Sequence, residues 1–234
     1  VALLTIPQAA PGQPAAAVQS WVRHEATGPV SSTRVLPAVR EVLQEAGMTL
    51  ADCSAVAFGA GPGSFTGLRT AVGVTQGLAF GAGLPVVPVS TLMACAHAAR
   101  QRDPGATRVL AVLDARMQEV YWAEFQWDAA GAEWLTLSPA ALDAPHAVPA
   151  PAGRFTLAGN AAPLFAKSAD AVCAALRQAA VVDPEALPHA ESIAWLGWRG
   201  LLAGRAVAAA AAAPDYVRNK VALTIAERAA AAGT

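Results

Sequence analysis

The chain has 234 residues, 55% hydrophobic and only 14% charged, and its 16 basic and 17 acidic residues leave a formal net charge of −1. That length suits one large or two small domains with a real core. So even a charge balance sets up no global field toward RNA or a membrane surface, so service to a nucleic acid would run through a partner.

Cys53, Cys95 and Cys173 are widely spaced with no CxxC pair. This fits a reducing cytoplasm, argues against a disulfide framework or a zinc site, and leaves the cysteines as small buried hydrophobes. His24, His97, His146 and His189 are equally scattered, without an HExxH or HxxxH pair, so no metal-ligand helix is expected. The longest apolar run, Ala206–Pro214, falls far short of a membrane span, and no signal peptide is evident.

The chain opens on Val1-Ala-Leu-Leu-Thr-Ile, already strand-like and not beginning with methionine. Pro7–Pro14 reads as a turn region, and Ala15–Ala26 alternates well enough to be the return strand of a hairpin. Ser31 and Ser32 then cap a helix whose apolar positions, Val35, Leu36, Val39, Val42, Leu43 and Ala46, step by three and four until Gly47 ends it.

Residues 54–82 organise the rest. Ala55, Val56, Ala57 and Phe58 form a short buried strand that stops at Gly59, Gly61, Pro62 and Gly63, residues that permit or fix a tight turn. A helix follows, with Ser64 or Thr66 as N-cap and Leu68, Val72, Thr75, Leu78 and Ala79 at helical spacing. Such a corner either seats an anion on free backbone N–H groups or simply lets strand pass tightly into helix. Two familiar phosphate loops are excluded. Gly67 is followed by Leu68 rather than Lys-Ser/Thr, and the Gly61 to Gly67 spacing, with no acidic residue ending the next strand Pro85–Ser90, does not fit a dinucleotide fold. Gly73, Gly77 and Gly81 recur every four residues along the helix, each costing about 1 kcal/mol relative to alanine. Close approach of another backbone accounts for them, whether the domain's own sheet or a partner helix.

Beyond the strand Pro85–Val89 and a capped helix Ser90–Arg102, the run Arg102-Asp-Pro-Gly105 is the expected domain boundary, dividing the chain into 1–104 and 105–234. Arg108–Leu113 is a continuous apolar strand, Glu119–Trp127 alternates, and Trp134–Leu137 pairs with them. Two α/β units follow from this order. Asp114 and Arg116 lie in the turn between the first two strands, where the carboxylate either holds a metal-bound water or caps the turn beside a surface arginine. Residues 138–153 read as a loose connection, Phe155–Asn160 as a strand, Asp170–Ala180 as a helix, and Glu191–Ala213 as one long helix stopped by Pro214. Trp195 and Trp198 on it read as core and rim packing.

The string GPGSFTGLRT at 61–70, followed by the Ala/Gly-rich helix, VPVSTLMACA at 87–96, RVLAVLDARMQEVYWAEF at 108–125 and DYVRNKVA at 215–222, resembles the TsaB (YeaZ) family in collinear order over most of the chain. The resemblance implies two ribonuclease-H-like domains of the actin, Hsp70 and sugar-kinase (ASKHA) type facing a cleft. It also implies a strand before Val1 ending in an Asp-Thr-Ala/Ser turn, so an N-terminal truncation with an empty central strand position is expected. In function it implies a non-catalytic accessory subunit for threonylcarbamoyladenosine formation on tRNAs reading codons that begin with A. The catalytic partner would be TsaD, with the ATPase TsaE in the assembly, tRNA reached indirectly, and a homodimer forming when the partner is absent. No intrinsic cofactor is expected, with ATP or ADP at the subunit junction. The signature loop maps to Gly61, Pro62, Gly63, Ser64, Phe65, Thr66, Gly67 and Arg69 as the junction and nucleotide edge. Leu36, Val39, Leu43, Val72, Gly73, Gln76 and Gly77 are the expected contacts of a four-helix interface, for which about 800 Å² per partner would be ordinary. The alternative is an independent ATPase, phosphotransferase or peptidase. It needs a second phosphate loop, clustered metal ligands, or a histidine against Ser64, and the sequence displays none of these.

Overall fold

A computed structural model describes residues 1–7, 17–25, 31–167 and 174–217. The turn beyond Pro7, Cys173 and the closing residues from 218 onward lie outside the described residues. An antiparallel ribbon opens the chain, β1 (Ala2–Thr5) with β2 (Gln19–Val22), in which Leu3 faces Trp21. Helix α1 (Ser31–Ala46) follows and buries Ala38 and, of its expected apolar stripe, Val42.

The glycine-corner unit is β3 (Val56–Gly61), α2 (Phe65–Ala82) and β4 (Val86–Ser90), with the two strands parallel. The Oγ of Ser90 accepts the N–H of Met93 and starts α3 (Thr91–Arg102), an alanine-rich helix small enough to be buried along most of its length. Next come β5 (Arg108–Asp114), β6 (Val120–Asp128), β7 (Glu133–Asp143) and β8 (Thr156–Ala158). They are followed by α4 (Ala162–Lys167), α5 (Ala174–Gln178), β9 (Val181–Asp183) and α6 (Ala190–Leu202). These strands form one sheet in the order β7-β6-β5-β8-β9, antiparallel on the β6 side of β5 and parallel on the β8 side. The central strand is covered on both faces, which is why residues 109–112 read as an unbroken apolar run.

Two expectations are corrected. Residues 138–143 are not loose connection but the second half of β7, whose end is held by the Trp122 indole N–H donating to Asp143 Oδ2 at 2.8 Å. The helix expected to reach Ala213 ends at Leu202. Gly204, at φ +68°, turns the chain, and Val207 then exchanges both backbone hydrogen bonds with Val86 on the edge of β4. Alanine's preference for helix yields here because Ala209 and Ala212 gain more by filling the space against α2 and β4.

The largest apolar cluster crosses the connection between α3 and β5. Val87, Leu92 and Ala99 pack with Val109, Phe125 and Ile193. Helix α6 lies against β1, β3 and β4, coming so close to β3 that a Cβ on Gly197 would collide with that of Ala57. Among the described residues no helix is long and apolar enough to cross a membrane.

Inside this core His97 stacks on Trp195 at 4.3 Å between ring centroids and accepts the Trp134 indole N–H on Nδ1 at 3.4 Å. Burial, with the Arg100 charge adding to it, lowers its pKa to about 4. The unfolded chain, titrating near 6.5, therefore binds the proton first as pH falls. The stability from neutral His97 is complete above about pH 6.5 and is lost progressively toward pH 4, at most about 3 kcal/mol. Urea unfolding at stepped pH will show this loss in the wild type and a flatter profile over the same window in His97→Gln.

Candidate functional site

The site is built on the passage from β3 into α2. Ser64, not Thr66, is the N-cap, its Oγ accepting the Gly67 N–H at 3.4 Å. The helix ends at Gly83, whose φ of +67° is the left-handed cap conformation that glycine adopts at least cost. Leu68, Val72, Thr75 and Ala79 repeat at four, three and four residues and form the buried face. It packs on Phe58, Ala60 and Val86 and on the alanines of the segment after α6.

The opposite face is bare. A Cβ placed on Gly73, Gly77 or Gly81 would meet nothing within 4 Å. The domain's own sheet is therefore not the reason for these glycines, and that alternative is removed. Phe80, 82% exposed, closes one end of this stripe, and Phe65, 50% exposed, stands at the other. Leu36 on the neighbouring helix α1 is also 50% exposed. Of the remaining expected contacts, Val39 and Leu43 are half-buried. Val72 is a correction: at 8% exposure it belongs to the core beneath α2 and cannot reach a partner. Gln76 is already engaged, its side-chain amide donating to the Ala212 carbonyl at 3.0 Å.

At the corner itself Gly61 and Pro62 are buried, and the Pro62 carbonyl accepts the Thr91 hydroxyl at 2.5 Å. Gly61, at φ +129°, lies so near the Asp215 carbonyl that any side chain would strike it. The space beside this glycine is thus taken by the chain's own backbone. A cleft of ≈ 380 Å³ remains between Ala60, Gly61, Pro88, Ser90, Pro214 and Asp215. Arg69 places its guanidinium 3.8 Å over the Phe65 ring, and its Nε donates to the Tyr216 hydroxyl at 3.2 Å while Tyr216 stacks on Phe65. Sequence reasoning missed Phe80 and Tyr216. The spacing of Phe80, three residues beyond Gly77 on the same face, was the available signal for the first; nothing local links Tyr216 to Phe65.

Helix α1 is tied to the end of β2 by charge. Arg34 bonds both Glu25 and Glu41, holding their carboxyls below the usual range, and Arg23 bonds Glu41 and Glu45. Asp114 and Arg116 lie elsewhere, at the end of β5. One Asp114 oxygen accepts the Arg116 N–H at 2.7 Å, the other faces its guanidinium at 3.5 Å, and residues 116–118 all have positive φ. This is a carboxylate capping its own turn. Among the described residues no three or more His, Cys, Asp or Glu are grouped to hold a metal ion.

The two kinds of glycine separate by mutation. Gly77→Ala, with open space around the new methyl, gains about 0.5–1 kcal/mol in chemical unfolding. Gly61→Ala loses about 1–3 kcal/mol because it meets both a strained φ and the Asp215 carbonyl.

The family model described as "TsaD: tRNA N6-adenosine threonylcarbamoyltransferase" matches residues 25–226. The tRNA threonylcarbamoyladenosine biosynthesis protein TsaB of Escherichia coli K12 is 42% identical over 196 residues, 81% of each chain. TsaB of Haemophilus influenzae is 52% identical over 91 residues, covering 39% of this chain and 38% of its own. The solved structure of YeaZ from Pseudomonas aeruginosa superposes with a TM-score of 0.74 at 36% identity, covering 86% of this chain and 89% of that one. The chain therefore belongs to the family that this transferase model describes and, within it, to the TsaB (YeaZ) proteins of tRNA threonylcarbamoyladenosine biosynthesis.

Proposed function

We propose that this chain is the accessory, non-catalytic subunit that binds and supports the catalytic threonylcarbamoyltransferase, TsaD, and that it docks through the exposed face of α2 beside α1. The observation that carries this reading is the bare stripe of Gly73, Gly77 and Gly81 between Phe65 and Phe80. A helix that gives up side chains on its solvent face, at about 1 kcal/mol per glycine, is built for close approach by another backbone. Without the partner the same face pairs with a second copy about a two-fold axis. The ATPase TsaE joins the assembly, tRNA is met through the partner, and the setting is the cytoplasm. The donor, threonylcarbamoyl-adenylate, and the tRNA adenosine react on TsaD, while ATP or ADP contacts the Gly61–Arg69 edge at the junction.

The finer architecture in this proposal is two ribonuclease-H-like units, 1–104 and 105–234. Support comes from the repeated order of elements. An antiparallel pair, β1 and β2, precedes a parallel pair, β3 and β4, just as β6 and β7 precede β8 and β9 around β5.

An independent peptidase is not favoured by the geometry. The Ser64 hydroxyl is occupied as a helix cap, and His97 is enclosed by tryptophans in the core. A branched side chain in the bare stripe gives the direct test. Gly77→Leu, which replaces a poor helix former by a good one in open space, will unfold at or above the wild-type midpoint but will not form a one-to-one complex with purified TsaD in light scattering after size exclusion. A Gly77→Leu variant that still binds TsaD normally refutes the α2 docking face.

A further inference from the structure

The segment after α6 does more than close the core. Val207 pairs with Val86 on the edge of β4, and the Ala212 carbonyl receives the Gln76 amide from the middle of α2. The Asp215 N–H donates to the Ala60 carbonyl at 2.7 Å, and Tyr216 lies on Phe65 with ring centroids 5.3 Å apart. Four contacts, spaced along about ten residues, thus hold β4, the centre of α2, the end of β3 and the first turn of α2. Most of this costs little water-exposed surface, but the last contact is different. Phe65, Arg69 and Tyr216 are all exposed, so their stack adds little to the core. What it does is fix two long side chains that otherwise sweep the end of the bare stripe.

We propose that residues 205–216 form a brace that sets the pose of α2, and that Tyr216 is a positioning residue holding Phe65 and Arg69 in the arrangement a partner meets. The proposal rests on the reading of α2 as the docking helix. It also explains why Gly61 has no side chain: the brace crosses over it at Asp215. Ordering the Phe65 end before encounter removes that cost from association, so binding tightens without any direct contact from Tyr216.

The test compares Tyr216→Ala, Tyr216→Phe and Gly77→Leu in the full chain, measuring affinity for purified TsaD by titration and the unfolding midpoint of each variant. Tyr216→Ala is expected to bind about tenfold more weakly at an unchanged midpoint, and Tyr216→Phe, which keeps the stack, to stay within about threefold of wild type. Wild-type affinity in Tyr216→Ala while Gly77→Leu abolishes binding overturns the brace and leaves the docking face standing. Equal losses in Tyr216→Ala and Tyr216→Phe overturn the stack as the positioning contact, and a lowered midpoint in Tyr216→Ala overturns positioning in favour of plain stability. Normal binding by Gly77→Leu refutes the docking face itself.

Discussion

The structure depends on how α2 sits on the β3–β4 pair. Its buried residues, Leu68, Val72, Thr75 and Ala79, occupy one narrow stripe, and Ala79 is completely enclosed. So small a residue at the centre of the contact brings the helix close to Val86 and leaves room for Ala209 and Ala212 to pack from the side. Those alanines set the path of the chain after α6, and that path decides what can stand at Gly61. A single close helix-to-sheet contact thus fixes the glycine corner, the return of the C-terminal segment and the direction of the exposed face.

That exposed face is costly by itself. Gly73 and Gly77 in the middle of α2 and Gly81 in its last turn forfeit about 2–3 kcal/mol of helix propensity, a large fraction of a domain's net stability. The loss is offset by fixed ends and a well-filled underside. Ser64 and Gly83 close the two termini, and Gln76, reaching Ala212, ties the middle of the helix to the segment beneath it. Beside it, α1 is held to the end of β2 by the Arg34 and Arg23 ion pairs, which lie partly in solvent and act as a network rather than as separate strong bonds.

Much of this was legible in the sequence, for physical reasons. The β3–α2–β4 unit is recorded locally, as an apolar run, a glycine turn and a stripe at helical spacing, and each feature fixes its element without help from distant residues. The buried central strand β5 is equally plain, because a strand covered on both faces has no polar positions. The failures lie where distant contacts override local preference. The alanine run after Leu202 has the composition of a helix, yet it lies extended and then in a short 3-10 turn because the edge of β4 offers Val207 two hydrogen bonds. Val72, expected both in the apolar stripe and among the interface contacts, goes with the stripe, because its spacing from Leu68, Thr75 and Ala79 puts it on the buried side. The Phe65–Tyr216 stack joins positions 151 residues apart, a link that no periodicity encodes.

The glycine corner shows how one local geometry serves different ends. In a phosphate loop, glycines keep side chains away so that an anion can reach backbone N–H groups. Here Gly61 keeps a side chain away so that the protein's own Asp215 can pass, and the Asp215 N–H is satisfied by Ala60. At Gly61 the space a side chain would take is filled by the Asp215 carbonyl. The conformational requirement is the same in both cases, which is why the sequence pattern alone could not separate them. What separates them is the third element in contact with the corner, and in this chain that element comes from the far end of the sequence.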